Sequence, residues 1–337
     1  MSTRRMSSLA FLTHSAQDLA QAAQTLARGE LLGLPTETVY GLAADALNPQ
    51  AVAAVFQAKG RPSDHPLIVH VASPAQVHLF ASEVPAFAQA LIDAYWPGPL
   101  TLILPRRAGV ADAASGQHPT IGLRCPSHPL AHQVLQLALD LGVQGVAAPS
   151  ANLFGRVSPT TAQHVRQAFP LLPVIDGGPC DVGIESTIVD ASRGMPLLLR
   201  PGMLTPAQLS AVCGVPVQMQ QKQPQANNAS PAPAAPGTLA SHYAPRARLK
   251  LMSADAIHAQ LQQPSTRSIA VWARSAMNLP PQIKPWRMPA DPVVCAHELF
   301  ASLHELDAAG VDEIWVETPP ADAAWDGVRD RLQRASA

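Results

Sequence analysis

Residues 48–71 read Asn48-Pro-Gln-Ala-Val-Ala-Ala-Val-Phe-Gln-Ala-Lys-Gly-Arg-Pro-Ser-Asp-His-Pro-Leu-Ile-Val-His-Val71. Asn48 is a preferred helix N-cap residue, and Pro49 suits the first helical position, where an N–H would have no partner anyway. Gly60 stands where a left-handed C-terminal cap belongs, so the spacing predicts a helix over 49–59. Leu67–Val71 is then a short apolar run of the kind that forms a buried strand. Helix followed by strand is the signature of an α/β layout. The turn between them carries Lys59 and Arg61, two cations aimed from a segment that Pro62 stiffens.

The same alternation extends in both directions. Ser15 caps a predicted amphipathic helix with Asp18 three residues on, apolar positions at Leu19, Ala22, Ala23 and Leu26, and Gly29 as a stop. Short apolar runs recur at Leu31–Leu34, Leu100–Leu104, Thr120–Leu123, Val146–Ala148, Thr187–Val189 and Leu197–Leu199, with helical patterns at Pro129–Leu141 and Thr161–Phe169. Between Val217 and Gly237, five glutamines and four prolines with no acidic or aromatic residue leave nothing to bury, which reads as a linker. Beyond it, strands are expected at Arg248–Met252, Ser268–Trp272 and Glu313–Val316, and helices near Ala254–Gln262, Val294–Ala309 and Trp325–Arg334. The expected division is a first α/β domain over 9–210, a linker and lid over 211–245, and a smaller three-layer α/β domain over 246–337.

Composition narrows the function. The chain has 337 residues, 47% apolar and 14% charged, so it can bury a large core. Lys+Arg 23 against Asp+Glu 24 gives a net charge of −1, which excludes a global field pulling the protein onto nucleic acid or an anionic membrane. Any polyanion must be held by a local cluster. Only four of the cations are lysines, so Lys59 stands out. No apolar run of transmembrane length occurs, and the start lacks a signal-peptide core, which together point to the cytoplasm. Cys125, Cys180, Cys213 and Cys295 form no C-x-x-C pair, so neither zinc nor a disulfide framework is expected. His128 and His132 share i, i+4 spacing but lack a third ligand.

Chemistry is expected on Pro35-Thr-Glu-Thr-Val-Tyr-Gly41, Lys59-Gly-Arg-Pro62, Arg124, Ser150-Ala-Asn152 with Ser158-Pro-Thr160, and Gly183-Ile-Glu-Ser-Thr187, with Arg200 at a further strand end. Each has a plainer structural explanation. Lys59 and Arg61 would complement a helix C-terminus, Ser150 and Asn152 are ordinary turn residues, and a histidine on an apolar strand, such as His70, is commonly structural. Glu37 and Glu185 have the residue type of an acid/base pair, but neighbouring hydroxyls would keep both ionised. The familiar nucleotide cradles G-x-x-x-x-G-K-[ST] and G-x-G-x-x-G are absent.

Taken in order with Pro66-Leu-Ile-Val-His70 and Trp96-Pro-Gly-Pro-Leu-Thr101, these segments resemble the YrdC-like domain of threonylcarbamoyl-AMP synthases. Ser241-His-Tyr-Ala-Pro245 resembles the element that closes the site in the long, two-domain form of that family. The resemblance implies a YrdC/RibB-like twisted-sheet α/β domain followed by a smaller Rossmann-like α/β domain. It also implies a nucleotidyltransferase that joins L-threonine, bicarbonate and ATP, with Mg²⁺ carried by the nucleotide, and releases pyrophosphate. A downstream threonylcarbamoyl transferase would use the product to modify tRNA, with at most weak RNA binding here. By the same resemblance Lys59 and Arg61 are expected to be the catalytic residues, and they, with His65, Thr120, Ser150, Asn152, Ser158, Arg200 and Tyr243, to contact ATP, His65 standing where the family usually has asparagine. Thr38, His70, Arg124, Ala148 and Ser186 are expected to form the threonine pocket, with Arg124 as the carboxylate partner. Two rivals remain: an RNA-binding module using Arg106, Arg107 and Arg124, and a sugar-phosphate enzyme resembling dihydroxybutanone-phosphate synthase.

Overall fold

The computed structural model describes residues 11–219, 236–237, 241–280, 283 and 285–337. Most of the expected linker lies outside the described residues. Among the described residues, nine strands form the first sheet: β1 (Leu32–Leu34), β2 (Gly41–Asp45), β3 (Ile68–His70), β4 (Leu100–Pro105), β5 (Thr120–Arg124), β6 (Val146–Ala147), β7 (Thr187–Asp190), β8 (Leu197–Arg200) and β9 (Gln218–Met219). Their spatial order is β1-β2-β6-β3-β5-β4-β7-β8-β9. Its first three pairs are antiparallel, and from β3 onward parallel pairs (β3 with β5, β4 with β7, β8 with β9) alternate with antiparallel ones, so the sheet is mixed.

The helix over Pro49–Lys59 forms as its caps require: Asn48 accepts from the backbone N–H groups of Gln50 and Ala51, and Gly60 takes a left-handed φ of 64°. Its Val52, Val55 and Phe56 pack on one face of the sheet with Leu91 and Ile92 of the helix Ala86–Tyr95. The helices Ala16–Ala27 and Pro129–Asp140 cover the β1, β2 and β6 end on the other face through Leu26, Val134 and Leu135. Ser15 caps the helix Ala16–Ala27 as expected, its hydroxyl oxygen accepting from the Asp18 N–H, and the Asp18 carboxylate accepts from the Thr13 N–H and hydroxyl. The helix Pro206–Cys213 straddles the expected boundary at 210, and β9 extends the first sheet to Met219.

A second, all-parallel sheet has the order β10-β13-β11-β12, from β10 (Arg248–Met252), β11 (Ile269–Ala273), β12 (Pro285–Arg287) and β13 (Glu313–Glu317). Side chains alternate across it. Val271, Ala273 and Trp315 face Ile257 of the helix Ala254–Leu261. Trp272, Ile314 and Val316 face the helices Pro292–Ala308 and Asp326–Ala335. That makes the three layers expected of the smaller domain. Its core also takes in Val39, Val157 and Ile184 from the first domain, so the two share a continuous apolar contact. Among the described residues, no helix is long and apolar enough to cross a membrane.

Candidate active site

Three loops of the first domain are stitched together by backbone hydrogen bonds. Ala151 N–H donates to Tyr40 O at 2.8 Å, Tyr40 N–H to Pro159 O at 2.9 Å, and Val182 N–H to Glu37 O at 2.7 Å. The Pro35–Gly41, Ser150–Pro159 and Asp181–Thr187 loops thereby converge over the end of β3, where His70 lies opposite Arg124 of β5. Gly41 permits this approach, since a Cβ there would stand 3.0 Å from the Ala148 methyl. The result is a narrow pocket of about 50 Å³, part of it open to solvent.

Thr38, His70, Arg124, Ala148, Ser150, Ser186, Arg61, Arg200 and Tyr243 line this pocket, drawn from positions 38 to 243 of the chain. Lys59, Asn152 and Ser158 stand behind the wall, and His65 and Thr120 lie outside the lining. Thr36, Gly41, Glu185, Pro236, Gly237 and His242 also line it without having been singled out as ligand contacts. Four of these sit inside the quoted motifs. Pro236 and Gly237 had no signal beyond their place at the edge of a Pro-rich segment.

Lys59 is buried, and its Nζ donates to the carbonyls of Ser150 and Asn152, both at 2.6 Å. The Phe154 N–H returns a bond to Lys59 O at 2.9 Å, so the lysine fastens the Ser-Ala-Asn turn to the end of its helix. Burial pushes its pKa well below the usual ammonium range, and Arg61 adds to the effect. Arg61 is more available. Its side chain makes one hydrogen bond, to Pro66 O at 3.1 Å, and leaves Nε buried and unpartnered. Burial lowers its pKa to about 10. His65 packs instead against the Phe154 ring, 5.7 Å between centroids. Asn152 uses its amide to donate to Leu153 O and Arg156 O, which makes it a turn former with a buried, unpartnered Oδ1. Thr120 shares a strand face with Gly122 and Arg124 but sits at the opposite end of β5.

Arg124 is already committed: Nε donates to Gly98 O at 3.2 Å, Nη1 to Thr38 Oγ1 at 2.8 Å, and Nη2 lies 2.7 Å from Glu37 Oε1. The last contact is an ion pair without hydrogen-bond alignment. Burial opposes ionisation of Glu37, and Arg124 overcomes it, holding the carboxyl below its ordinary pKa. Arg124 therefore anchors the Thr38 loop first. A substrate carboxylate here would share a guanidinium already partly neutralised.

His70 is kept neutral chiefly by burial, with Arg124 beside it, its pKa lowered to about 3; its Nδ1 has no partner. Ser186 Oγ lies 2.8 Å from Thr101 Oγ1 and accepts from Arg200 Nη2 at 3.1 Å. Arg200 also donates to Ser186 O and, through Nη1, to Pro236 O at 2.9 Å. Tyr243, at a left-handed φ of 62°, closes the pocket from the second domain's side with its hydroxyl buried and unpartnered. Gly237 must be glycine there, because its φ is 75° and a Cβ would stand 2.3 Å from that hydroxyl.

The RNA patch is not assembled. Arg124 is buried in the pocket, Arg107 donates to His78 O, and Arg106 is turned onto Asp112, Val110 O and His118 O. Among the described residues, no three His, Cys, Asp or Glu side chains gather as a metal site would require.

The chain is similar to known proteins along nearly its whole length. The family model described as "Telomere recombination" matches residues 24–202, and that of the threonylcarbamoyl-AMP synthase C-terminal domain matches residues 204–337. A threonylcarbamoyl-AMP synthase of Pyrococcus abyssi is 35% identical over 327 residues, covering 94% of this chain and 93% of its own. One from Bacillus subtilis is 36% identical, covering 94% and 92%. The structure of P. abyssi Sua5 complexed with L-threonine superimposes with a TM-score of 0.86 at 32% identity, covering 96% of both chains. With both domains matched along nearly their whole length, the chain belongs to the threonylcarbamoyl-AMP synthase family.

Proposed function

We propose that this enzyme condenses L-threonine and bicarbonate into a carbamate with loss of water and transfers the adenylyl group of ATP to it, forming L-threonylcarbamoyl-adenylate and pyrophosphate. The observation that carries the reading is the meeting of Arg61, Arg200 and Ser150 with Thr38, His70 and Ser186 in one pocket. Guanidinium forks suit phosphate oxygens, and the hydroxyl-lined side beside neutral His70 suits a small amino acid.

In this reading a carbamate oxygen attacks the α-phosphorus while the bond to the β-phosphate oxygen breaks in line. Such a transfer depends on positioning and charge neutralisation more than on a covalent nucleophile. Arg61 and Arg200 face the triphosphate, while Lys59 fixes the turn that presents Ser150. Thr38 and Ser186 hold the amino acid, and Tyr243 with Gly237 shields the labile carbamate from water. Mg²⁺ would enter with the nucleotide as part of the substrate, since Glu37 is paired with Arg124 and Glu185 with Arg331 and Ser158. The product would be consumed by a transferase acting on tRNA, and this chain needs no tight RNA site of its own.

The test is incubation with ATP, L-threonine and labelled bicarbonate. Threonine-dependent pyrophosphate release with an acid-labile labelled adenylate is expected, and release that ignores threonine would contradict the reading.

A further inference from the structure

The loop Gly183-Ile-Glu-Ser-Thr187 forms one wall of the pocket, yet the second domain holds it. A Cβ on Gly183, at φ 80°, would stand 2.2 Å from His297 O of the helix Pro292–Ala308. Gly327, at the start of the last helix, brings that helix so close that a Cβ would stand 2.8 Å from Ile184 Cδ1 and 3.0 Å from Gly202 O. One turn further on, the same helix projects Arg331, fully buried, into the first domain.

Arg331 Nε donates to Glu185 Oε2 at 2.9 Å and Nη2 to Glu185 O at 3.2 Å. Its Nη1 donates to Pro201 O at 2.5 Å, next to Arg200, and to Asp330 at 3.0 Å. The guanidinium also lies 5.6 Å from the centre of the Tyr243 ring, within cation–π range. One side chain thus touches the Glu185 loop, the Arg200 strand end and the closing tyrosine. Ser158 Oγ donates to the other Glu185 oxygen at 2.5 Å, so both carboxylate oxygens are engaged.

We infer that Arg331 is a positioning residue for the triphosphate: it neutralises and turns aside the Glu185 carboxylate, so that the pocket meets ATP with Arg61 and Arg200 uncancelled. Without Arg331, a buried carboxylate would stand beside the phosphates and compete for Arg200, and this is a repulsion that bare loss of packing would not produce. Burial disfavours the charged form of Glu185, and the nearby arginines and hydrogen bonds outweigh it, so the group is held ionised as the inference requires. The second domain therefore contributes charge as well as support.

This rests on ATP being the pocket's ligand, and the test separates the two claims. The full chain and its variants are titrated with Mg·ATP and, separately, with L-threonine by calorimetry. Arg331→Met is expected to weaken ATP binding by about tenfold or more, the scale of one charged contact, with L-threonine affinity held within about threefold. Adding Glu185→Gln to Arg331→Met is expected to restore ATP affinity to within about threefold of the native chain, because the offending charge is gone. A double variant as weak as Arg331→Met, or a parallel loss of threonine affinity, overturns the inference. Should Arg331→Met fail to fold, Arg331→Lys decides. Retained ATP affinity within about fivefold supports charge compensation, and a loss of about tenfold or more overturns it. A native chain that binds no ATP overturns both readings; one that binds ATP with no Arg331 effect overturns this one alone.

Discussion

Lys59 Nζ lies 2.6 Å from the carbonyl oxygen of Asn152, across 93 residues of chain, and an equal contact reaches Ser150 O. The lysine is a fastener of the Ser150–Asn152 turn, while Arg61, two residues on, faces the pocket. Lys59→Ala is therefore expected to cost both activity and about 2–4 kcal/mol of stability, having lost two hydrogen bonds and left two buried carbonyls without their donor. Arg61→Ala should abolish turnover with stability changed by less than about 1 kcal/mol, since it gives up one side-chain hydrogen bond. Urea unfolding beside the pyrophosphate assay separates them. Equal stability losses in the two variants would remove the distinction.

Arg124 and Glu37 form a buried ion pair beneath the proposed threonine site. Arg124→Leu strands the Glu37 carboxylate and is expected to destabilise the fold by about 3–5 kcal/mol. Glu37→Leu combined with Arg124→Leu should be less destabilised than Arg124→Leu alone. A double-mutant cycle by urea denaturation reads this coupling, and additive effects would show that the pair does not interact.

Gly183 meets the second domain where no side chain fits. Gly183→Ala is expected to lower stability by more than 1 kcal/mol, on the order of the cost of strain at a positive φ with added overpacking, and to reduce turnover by displacing Glu185 and Ser186. Thermal unfolding and the pyrophosphate assay check both. Native behaviour in each would mean that the helix Pro292–Ala308 does not set the loop.

Burial lowers the pKa of His70 to about 3 and of His164 and His242 to about 4, His164 being further lowered by its stacked neighbour His304. In the unfolded chain these rings take up protons near the ordinary value of about 6.5, so between about 6.5 and 4 the unfolded state binds more protons. Stability should thus be full at pH 7 and fall as pH drops through that window, each ring contributing up to about 1.4 kcal/mol per pH unit. Urea midpoints from pH 7.5 to 4.5 measure it. A flat profile would mean that the three rings protonate freely in the fold.

Much of this was legible in the sequence because the signals are local. Asn48, Pro49 and Gly60 delimit a helix by chemistry that acts within a turn, and both caps form as that chemistry requires. Strand β2 gave no such signal: Gly41-Leu-Ala-Ala-Asp45 has weak strand propensity and is a strand because its small residues slide close to β6 and Ala148. The site divides in the same way. Motif loops yielded Thr38, Ser150 and Ser186, but whether a side chain faces the ligand or fastens a loop depends on long-range contacts. Lys59 and Asn152 lie behind the wall, Thr120 lies at the far end of its strand, and Arg124 is engaged by Glu37 before any substrate arrives. Arg331 gave no sign at all, since one arginine on a charged helix is unremarkable until the helix docks on Glu185.

In the proposed reaction one pocket holds nucleotide and amino acid side by side. A crystal structure of the full chain with L-threonine and a non-hydrolysable ATP analogue addresses it directly. The expected density places the triphosphate within hydrogen-bond reach of Arg61 and Arg200, and the threonine against Thr38, His70 and Ser186. A nucleotide bound away from these arginines, such as at an edge of the second sheet, would contradict it.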